Sequence, residues 1–171
     1  RVFGDTFPKA LRLRYVLMGF VAPAALFAWC VWALATRSAF ALGSLLQLMF
    51  LLVGWHYVKQ GFGLLTVLAA RRGVRFLPRE RLAILAHCYA GWAYAWASPA
   101  DPGTVVEEKG VVFKTIARSL LLERITFGVL LATVVPLVWV LVQKRRREGS
   151  LPLLTPLVAM LSSIWAWSIY S

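Results

Sequence analysis

The sequence predicts an all-α protein, a polytopic transmembrane helical bundle of about five spanning helices whose N-terminal side is cytoplasmic. Hydrophobic residues make up 60% of the chain, its mean hydropathy is +0.72, and only 15% of its residues are charged. Soluble domains carry about 25% charged residues. The apolar runs are also too long and too uniform for amphipathic surface helices. We therefore expect one membrane domain over residues 1–171, in contact with the lipid bilayer.

Five hydrophobic segments cover most of the chain, each near the roughly 20 residues that cross a bilayer. The third is the shortest, and the second is long enough that it must tilt, bend or protrude. Gly61 and Gly63 mark where the second could bend. Because the chain begins with Arg1 and stops inside an apolar segment, we expect it to be a fragment of a longer protein. The predicted helices are 15–36, 39–70, 82–97, 125–143 and 152–171.

Basic residues cluster on alternate connections and fix the predicted orientation. Cytoplasmic loops of membrane proteins are enriched in Lys and Arg, so these connections are expected to face the cytoplasm. The net charge of +12 is therefore a topology signal, and we expect no nucleic-acid partner. The clustered bases are Lys9, Arg12 and Arg14, then Arg71, Arg72, Arg75, Arg79 and Arg81, then Lys144, Arg145, Arg146 and Arg147.

The largest outer connection covers residues 98–124. It opens with SPADPG, a rigid turn sequence. The run VVFKTIARSLLLER then separates apolar from polar residues on two sides of a helix, which predicts a short interfacial helix at 111–122. An early start of the fourth segment is the alternative interpretation.

A polar stripe interrupts the second segment. Residues three and four apart share a helix face, so His56, Lys59 and Gln60 line up. Lys59 lies 12 residues before Arg71, or roughly 18 Å into a core of about 30 Å, which is beyond the reach of its stem unless the helix is steeply tilted. A charge at that depth costs about 2.5 kcal/mol or more. Snorkelling, a buried structural network and a functional site all remain open.

The third segment supplies the expected partners of this stripe. Alanines spaced three and four apart form a small-residue seam, and His87 and Tyr94 lie beside it. Counted from Arg81 at about 1.5 Å per residue, Tyr94 lies roughly 19 Å deep, level with Lys59, and His87 only about 9 Å. We therefore predict a membrane-embedded polar site of His56, Lys59, Gln60 and Tyr94.

The two histidines, His56 and His87, are the candidate cofactor ligands. Their predicted depths differ by roughly 13 Å, which disfavours a haem held by both. Single-histidine ligation of a haem or a chlorophyll-type pigment stays open. No Asp or Glu lies inside the five segments, so we predict no carboxylate-bridged or zinc site, and no catalytic residue can be assigned.

At WHYVKQGFG the sequence resembles multi-pass bacterial membrane proteins that carry a His-Tyr-x-Lys-Gln-x-x-Gly helix. The resemblance covers mainly Gly54 to Gly63, with weaker similarity through Arg71 to Trp96. It implies a location in the bacterial inner membrane and no established activity. Histidine-bearing membrane oxygenases look similar only superficially, because their clustered histidines are missing here.

Three functional hypotheses follow from these observations. The first is a non-catalytic subunit, or part of a larger membrane assembly, that packs against other membrane helices. The second is a membrane-embedded site around His56, Lys59, Gln60 and Tyr94 for a metal, pigment or lipid-like substrate, with an oxidoreductase as one version. The third is proton or ion transport along the same stripe.

Overall fold

The computed structural model describes residues 9–99, 102–149 and 154–170. It is mostly helical, which confirms the predicted fold class at that level. Its contacts divide the chain, predicted as one domain over 1–171, into two compact units. These are Arg1–Leu46 with Thr104–Thr115, and Gln47–Gly103 with Ile116–Ser171.

Three helical stretches of the described residues are long and apolar enough to cross a bilayer: Leu11–Ala35, Ala39–Arg71 and Leu120–Glu148. The last two are helices α3 and α5. Helix α4, Pro78–Ala97, carries charges in its first turn, and helix α6, Leu154–Tyr170, has only 17 residues. The structure thus supports a membrane protein with three clear candidates, and the prediction of about five spans stays a prediction.

The first of these stretches is not one uniform helix. It consists of α1, Lys9–Val16, a π-helical turn, Leu17–Val21, and α2, Ala22–Ala35. In the turn the N–H of Ala22 donates to the carbonyl of Leu17, five residues earlier. Pro23 follows directly; its ring has no N–H and would clash with a carbonyl four residues back, so a wider turn relieves the clash.

A β-hairpin occupies part of the outer connection, and the interfacial helix predicted at 111–122 is wrong. Strand β1, Val105–Glu108, pairs antiparallel with β2, Val111–Lys114, and α5 begins only at Leu120. Lys109 and Gly110 join the strands with φ of 53° and 78°. Positive φ at both central residues is the signature of the type I′ turn, whose twist matches the strands.

The hairpin packs within the first unit. Phe113 contacts a small cluster of Ala33, Ala41 and Leu42. On α3, the Cα of Gly43 lies so close to the backbone carbonyl of Lys114 that an added Cβ would overlap it. A glycine is therefore required at this point for the hairpin to approach the helix.

The second unit is a bundle of α4, α5, α6 and the larger part of α3. Helix α4 packs against both α5 and α6. Helix α3 continues as an α-helix through Gly61 and Gly63. The core of the second unit consists of Val58, Phe62, Leu65, Ala69, Ile84, Cys88, Leu137, Leu157 and Ile164. Helix α4 buries the small residues Ala83, Ala90, Gly91, Ala95 and Ala97, and small residues let neighbouring helices approach closely.

Two contacts give the approximate register between α3 and α4, which run antiparallel. Near one end, the indole of Trp92 donates to the carbonyl of Leu51 at 3.0 Å. Near the other, the guanidinium of Arg81 lies 5.8 Å from the ring centroid of Phe62. Residues that lie between these contacts on one helix therefore face residues between them on the other.

Candidate functional site

The polar stripe of α3 faces away from the bundle core. His56, Lys59 and Gln60 are exposed, whereas Val58, on the opposite side of the helix, is buried in the core. This follows from helical spacing, since the buried residues Val58, Phe62 and Leu65 recur every three to four positions. The stripe is therefore a surface of this chain.

Lys59 has little to neutralise it in the described residues. Its Nζ lies 5.8 Å from the ring centroid of Trp55, one turn earlier, in a cation–π contact. Among the described residues no carboxylate forms an ion pair with it. An exposed cation–π contact contributes only about 0.5–1 kcal/mol. The charge thus lacks a balancing acid on the part of the chain that the structure describes.

Tyr94 lies on α4, half-buried, with its ring centroid 5.2 Å from that of Phe127 on α5. By the α3–α4 register it lies two residues beyond Trp92, near the level of Met49 and not that of Lys59. The depth estimate from the sequence is therefore wrong for this pair. That estimate assumes that Arg71 and Arg81 lie at the same level. In the structure the chain folds back after α3, where the N–H of Val74 donates to the carbonyl of Ala69, and Arg81 therefore lies beside Phe62.

The same register changes the relation between the two histidines. His87 lies six residues after Arg81 and His56 six residues before Phe62, so the two lie at about the same level. Their faces differ, because His56 is exposed and His87 is buried. The histidines are kept apart by the faces they occupy and not by depth.

His87 is the polar centre of the bundle formed by α4, α5 and α6. Its Nδ1 lies 3.0 Å from Oγ1 of Thr133 on α5, and its Nε2 accepts a hydrogen bond of 3.0 Å from the indole of Trp165 on α6. The hydroxyl of Thr133 donates in turn to the carbonyl of Leu130 at 2.7 Å. Three helices are thus joined through one side chain.

These bonds determine the protonation of the His87 ring. An indole N–H can only donate, so Nε2 must be the unprotonated nitrogen. Nδ1 then carries the hydrogen and donates to Thr133, whose own hydrogen is committed to Leu130. His87 is therefore a neutral imidazole with both nitrogens bonded, and an iron or magnesium at Nε2 would have to displace Trp165.

No cluster of candidate metal ligands supports the cofactor hypotheses among the described residues. The described residues contain no group of three or more His, Cys, Asp or Glu side chains arranged to hold a metal. Cys88 is buried in the core and Cys30 belongs to the first unit, each as a free thiol. The cofactor and transport hypotheses stay predictions.

A buried ion-pair cluster lies at the basic end of the same bundle. Glu80 on α4 and Lys144 on α5 are 3% and 1% exposed, with Nζ of Lys144 at 3.5 Å from Oε2 of Glu80. Arg147 pairs with the other oxygen of Glu80. Lys144 also donates to Glu148 at 2.7 Å and to the carbonyl of Arg75 at 3.1 Å. All of the charges at this contact have partners.

The ionisation of Glu80 is stabilised by those partners. Burial opposes the charged form, but the hydrogen bonds from the N–H of Leu77 and from Arg147, with the charge of Lys144, hold its pKa below the usual range. The carboxylate of Glu80 also accepts a hydrogen bond of 2.9 Å from the N–H of Leu77, which caps the first turn of α4. The carboxylate thus both caps α4 and binds the end of α5.

Sequence reasoning missed this cluster, because Lys144 and Arg147 stand in a run of four bases that is typical of a solvated loop. One signal was available. Glu80 is the single acid among the bases of the second basic connection. A lone acid close to the basic ends of helices favours ion pairing.

A second contact missed from the sequence lies at the opposite end of the bundle. The guanidinium of Arg118 lies 3.7 Å from the ring centroid of Trp96 and donates to Gln47 at 3.3 Å. Nearby, Ser98 donates to Glu123 at 3.2 Å. The contacts of Arg118 join the chain before α5 to the end of α4 and to α3, and the bond from Ser98 joins the end of α4 to α5.

No model of a known protein family matches this chain, and neither does any curated protein or solved structure. A function must therefore be argued from the geometry alone.

Proposed function

We propose that the chain is a membrane-embedded, non-catalytic subunit of a larger integral-membrane assembly, or the part of a larger membrane protein that has this role. In this proposal the polar stripe of α3 is the contact surface. It packs against a transmembrane helix that lies outside the described residues and carries an Asp or Glu at the level of Lys59.

The exposure of Lys59 carries this proposal. Helix α3 is a candidate span of 33 residues, and Lys59 lies on its outer face, 12 residues before Arg71. A lysine near the centre of a bilayer costs about 2.5 kcal/mol or more, so it faces protein or water and not lipid. His56 and Gln60 on the same face provide further hydrogen-bonding groups for a neighbouring helix.

We infer that all five predicted segments cross the membrane, with the N-terminal side cytoplasmic. In the structure α1, the π-helical turn and α2 together form the first of them. In the second unit the basic end of α4 meets the basic end of α5 through Glu80, and α3 runs antiparallel to α4. Basic connections on one side are what the positive-inside rule requires. The weaker apolar character of α4 is compatible with crossing, because its neighbours α5 and α6 cover much of its surface.

We assign the chain to the bacterial inner membrane. This assignment rests on the resemblance to multi-pass bacterial membrane proteins that the sequence predicts at Gly54–Gly63, and the bias of Lys and Arg toward alternate connections is compatible with it.

Site-specific photo-crosslinking tests the contact surface. A photoreactive amino acid replaces Gln60 in the protein expressed in its native membrane, and the matched control replaces Val135, which is 71% exposed on α5 and apolar. We expect position 60 to give one discrete crosslinked product with a helix that carries an acid, and position 135 to label lipid. Crosslinks from position 60 to lipid alone would overturn the proposal.

A further inference from the structure

A cavity of about 540 Å³ lies between the start of α4 and the end of α5. Arginines 79, 146 and 147 line it together with Glu80, Gln143 and Trp139. Its volume falls in the range of about 300–1,000 Å³ that is typical of small-molecule sites. It lies at the basic end of the bundle, which the proposed topology places at the cytoplasmic surface.

The charge in this cavity is positive on balance. Glu80 contributes the negative charge, but Arg147 and the buried Lys144 already engage both of its carboxylate oxygens. Arg79 and Arg146 are exposed, and among the described residues neither forms an ion pair with a carboxylate. Two guanidinium groups are therefore available to an anion.

The wall on the α5 side changes from polar to apolar along the helix. Trp139 and Val140 lie one to two turns before Arg146, and Trp139 is 63% exposed. Gln143 lies between the apolar and the basic parts of the wall. Tryptophans favour the headgroup level of bilayers because their rings are amphipathic. A free phosphate would use only the basic part, whereas a lipid would use both.

We propose that this cavity binds the phosphodiester headgroup of an anionic phospholipid of the cytoplasmic leaflet. Arg79 and Arg146 bind the phosphate oxygens, since guanidinium groups match phosphate in planar, bidentate geometry. The amide of Gln143 donates to a glycerol or ester oxygen, and the first part of an acyl chain follows Trp139. This inference uses the orientation given above but does not depend on the contact surface of α3.

Lipid binding by the purified full chain tests this site. The protein in a neutral detergent is titrated with phosphatidylglycerol, with phosphatidylcholine and with inorganic phosphate, and binding is followed by native mass spectrometry. The variant Arg79→Gln/Arg146→Gln removes both available guanidinium groups. The control Arg71→Gln/Arg72→Gln removes the same charge from exposed positions at and just after the end of α3, outside the cavity.

We expect the chain to bind phosphatidylglycerol in preference to phosphatidylcholine. The cavity variant should weaken this binding by roughly tenfold or more, as expected for the loss of charge-assisted hydrogen bonds, and the control should change it by less than about twofold. The single variants Arg79→Gln and Arg146→Gln, each with one guanidinium left, should fall between the two. They keep the test decisive where the double variant folds poorly.

Three results would overturn the proposal. Equal loss in the cavity variant and the control would show that only overall charge matters. Equal affinity for inorganic phosphate and for phosphatidylglycerol would remove the role of the apolar wall. Unchanged phosphatidylglycerol binding in the folded cavity variant would remove the site altogether. None of these results bears on crosslinking at Gln60, so the two proposals fail separately.

Discussion

The indole of Trp165 donates its hydrogen bond to Nε2 of His87, and the two ring centroids lie 5.8 Å apart. This bond joins α6 to α4, and the other nitrogen of His87 joins α4 to Thr133 on α5. Because both nitrogens of this neutral imidazole are bonded, His87 fixes the positions of α5 and α6 against α4. We therefore expect the bond from Trp165 to contribute to stability and not to catalysis.

Trp165→Phe should destabilise the bundle by about 1–3 kcal/mol, because the buried Nε2 of His87 loses its donor. Thermal unfolding in detergent, followed by circular dichroism, measures the change. Trp32→Phe is the control, since Trp32 is exposed on α2, and it should change stability by less than about 0.5 kcal/mol. Equal effects of the two substitutions would contradict a structural role for the bond.

Glu80→Gln should destabilise the protein by about 3 kcal/mol or more. The substitution leaves Lys144, which is 1% exposed, with one fewer counter-charge in a buried site, and removing one member of a buried ion pair is costly. Chemical denaturation measures the difference. The control Glu107→Gln, on an exposed position of the hairpin, should be nearly neutral. A nearly neutral Glu80→Gln would mean that Glu148 alone balances Lys144.

Stability should also depend on pH through Glu80, which precedes the predicted spanning residues 82–97. Burial opposes its ionisation, but the Leu77 N–H, Arg147 and Lys144 stabilise the carboxylate and hold its pKa below that of an ordinary glutamate, about 4.3. The contribution of the ionised Glu80 to the free energy of unfolding is therefore fully present above the pKa of an ordinary glutamate. It is lost as the pH falls through the lower pKa of Glu80 in the folded protein.

Unfolding temperatures of the wild type and of Glu80→Gln, measured between neutral pH and about pH 3, test this dependence. The gap between the two proteins should be constant near neutral pH and should narrow in acid. A gap that stays constant throughout would show that Glu80 keeps its ordinary pKa.

The sequence identified the helices more reliably than the way they meet. Long apolar runs indicate a membrane protein directly, because the bilayer sets their length. The hairpin is hard to predict because VVFKTIARSL also has a helical separation of polar and apolar residues. Its turn is Lys109–Gly110, a weaker hairpin signal than Asn-Gly or Asp-Gly.

The candidate site was harder to predict for a physical reason. Depth estimated from the nearest arginine assumes that both helix ends lie level, but the chain after α3 folds back and displaces α4 along it. The face that a stripe presents depends on neighbouring helices, which spacing on one helix does not encode. His56, Lys59 and Gln60 share a face, as expected, but it is the outer one.

Lys59→Met tests the outer face without disturbing the core. Lys59 makes one cation–π contact with Trp55, so the isolated chain should change in stability by less than about 1 kcal/mol. Co-purification of a partner helix from native membranes should be lost, because the acid on that helix loses its counter-ion. Retention of the partner by Lys59→Met would place the contact elsewhere on the chain.

Gly43→Ala should destabilise the first unit by about 1–3 kcal/mol, because its Cβ would overlap the backbone carbonyl of Lys114 and a backbone cannot move as a side chain can. The control is Gly63→Ala on the same helix, where nothing lies within 4 Å of an added Cβ. There alanine should stabilise α3 by up to about 1 kcal/mol through its higher helix propensity. Hydrogen exchange of the hairpin amides separates the two effects. Faster exchange at Val106 and Phe113, whose amides bond across the hairpin, is expected in Gly43→Ala alone. Unchanged exchange would show that the hairpin does not rest on α3 at this glycine.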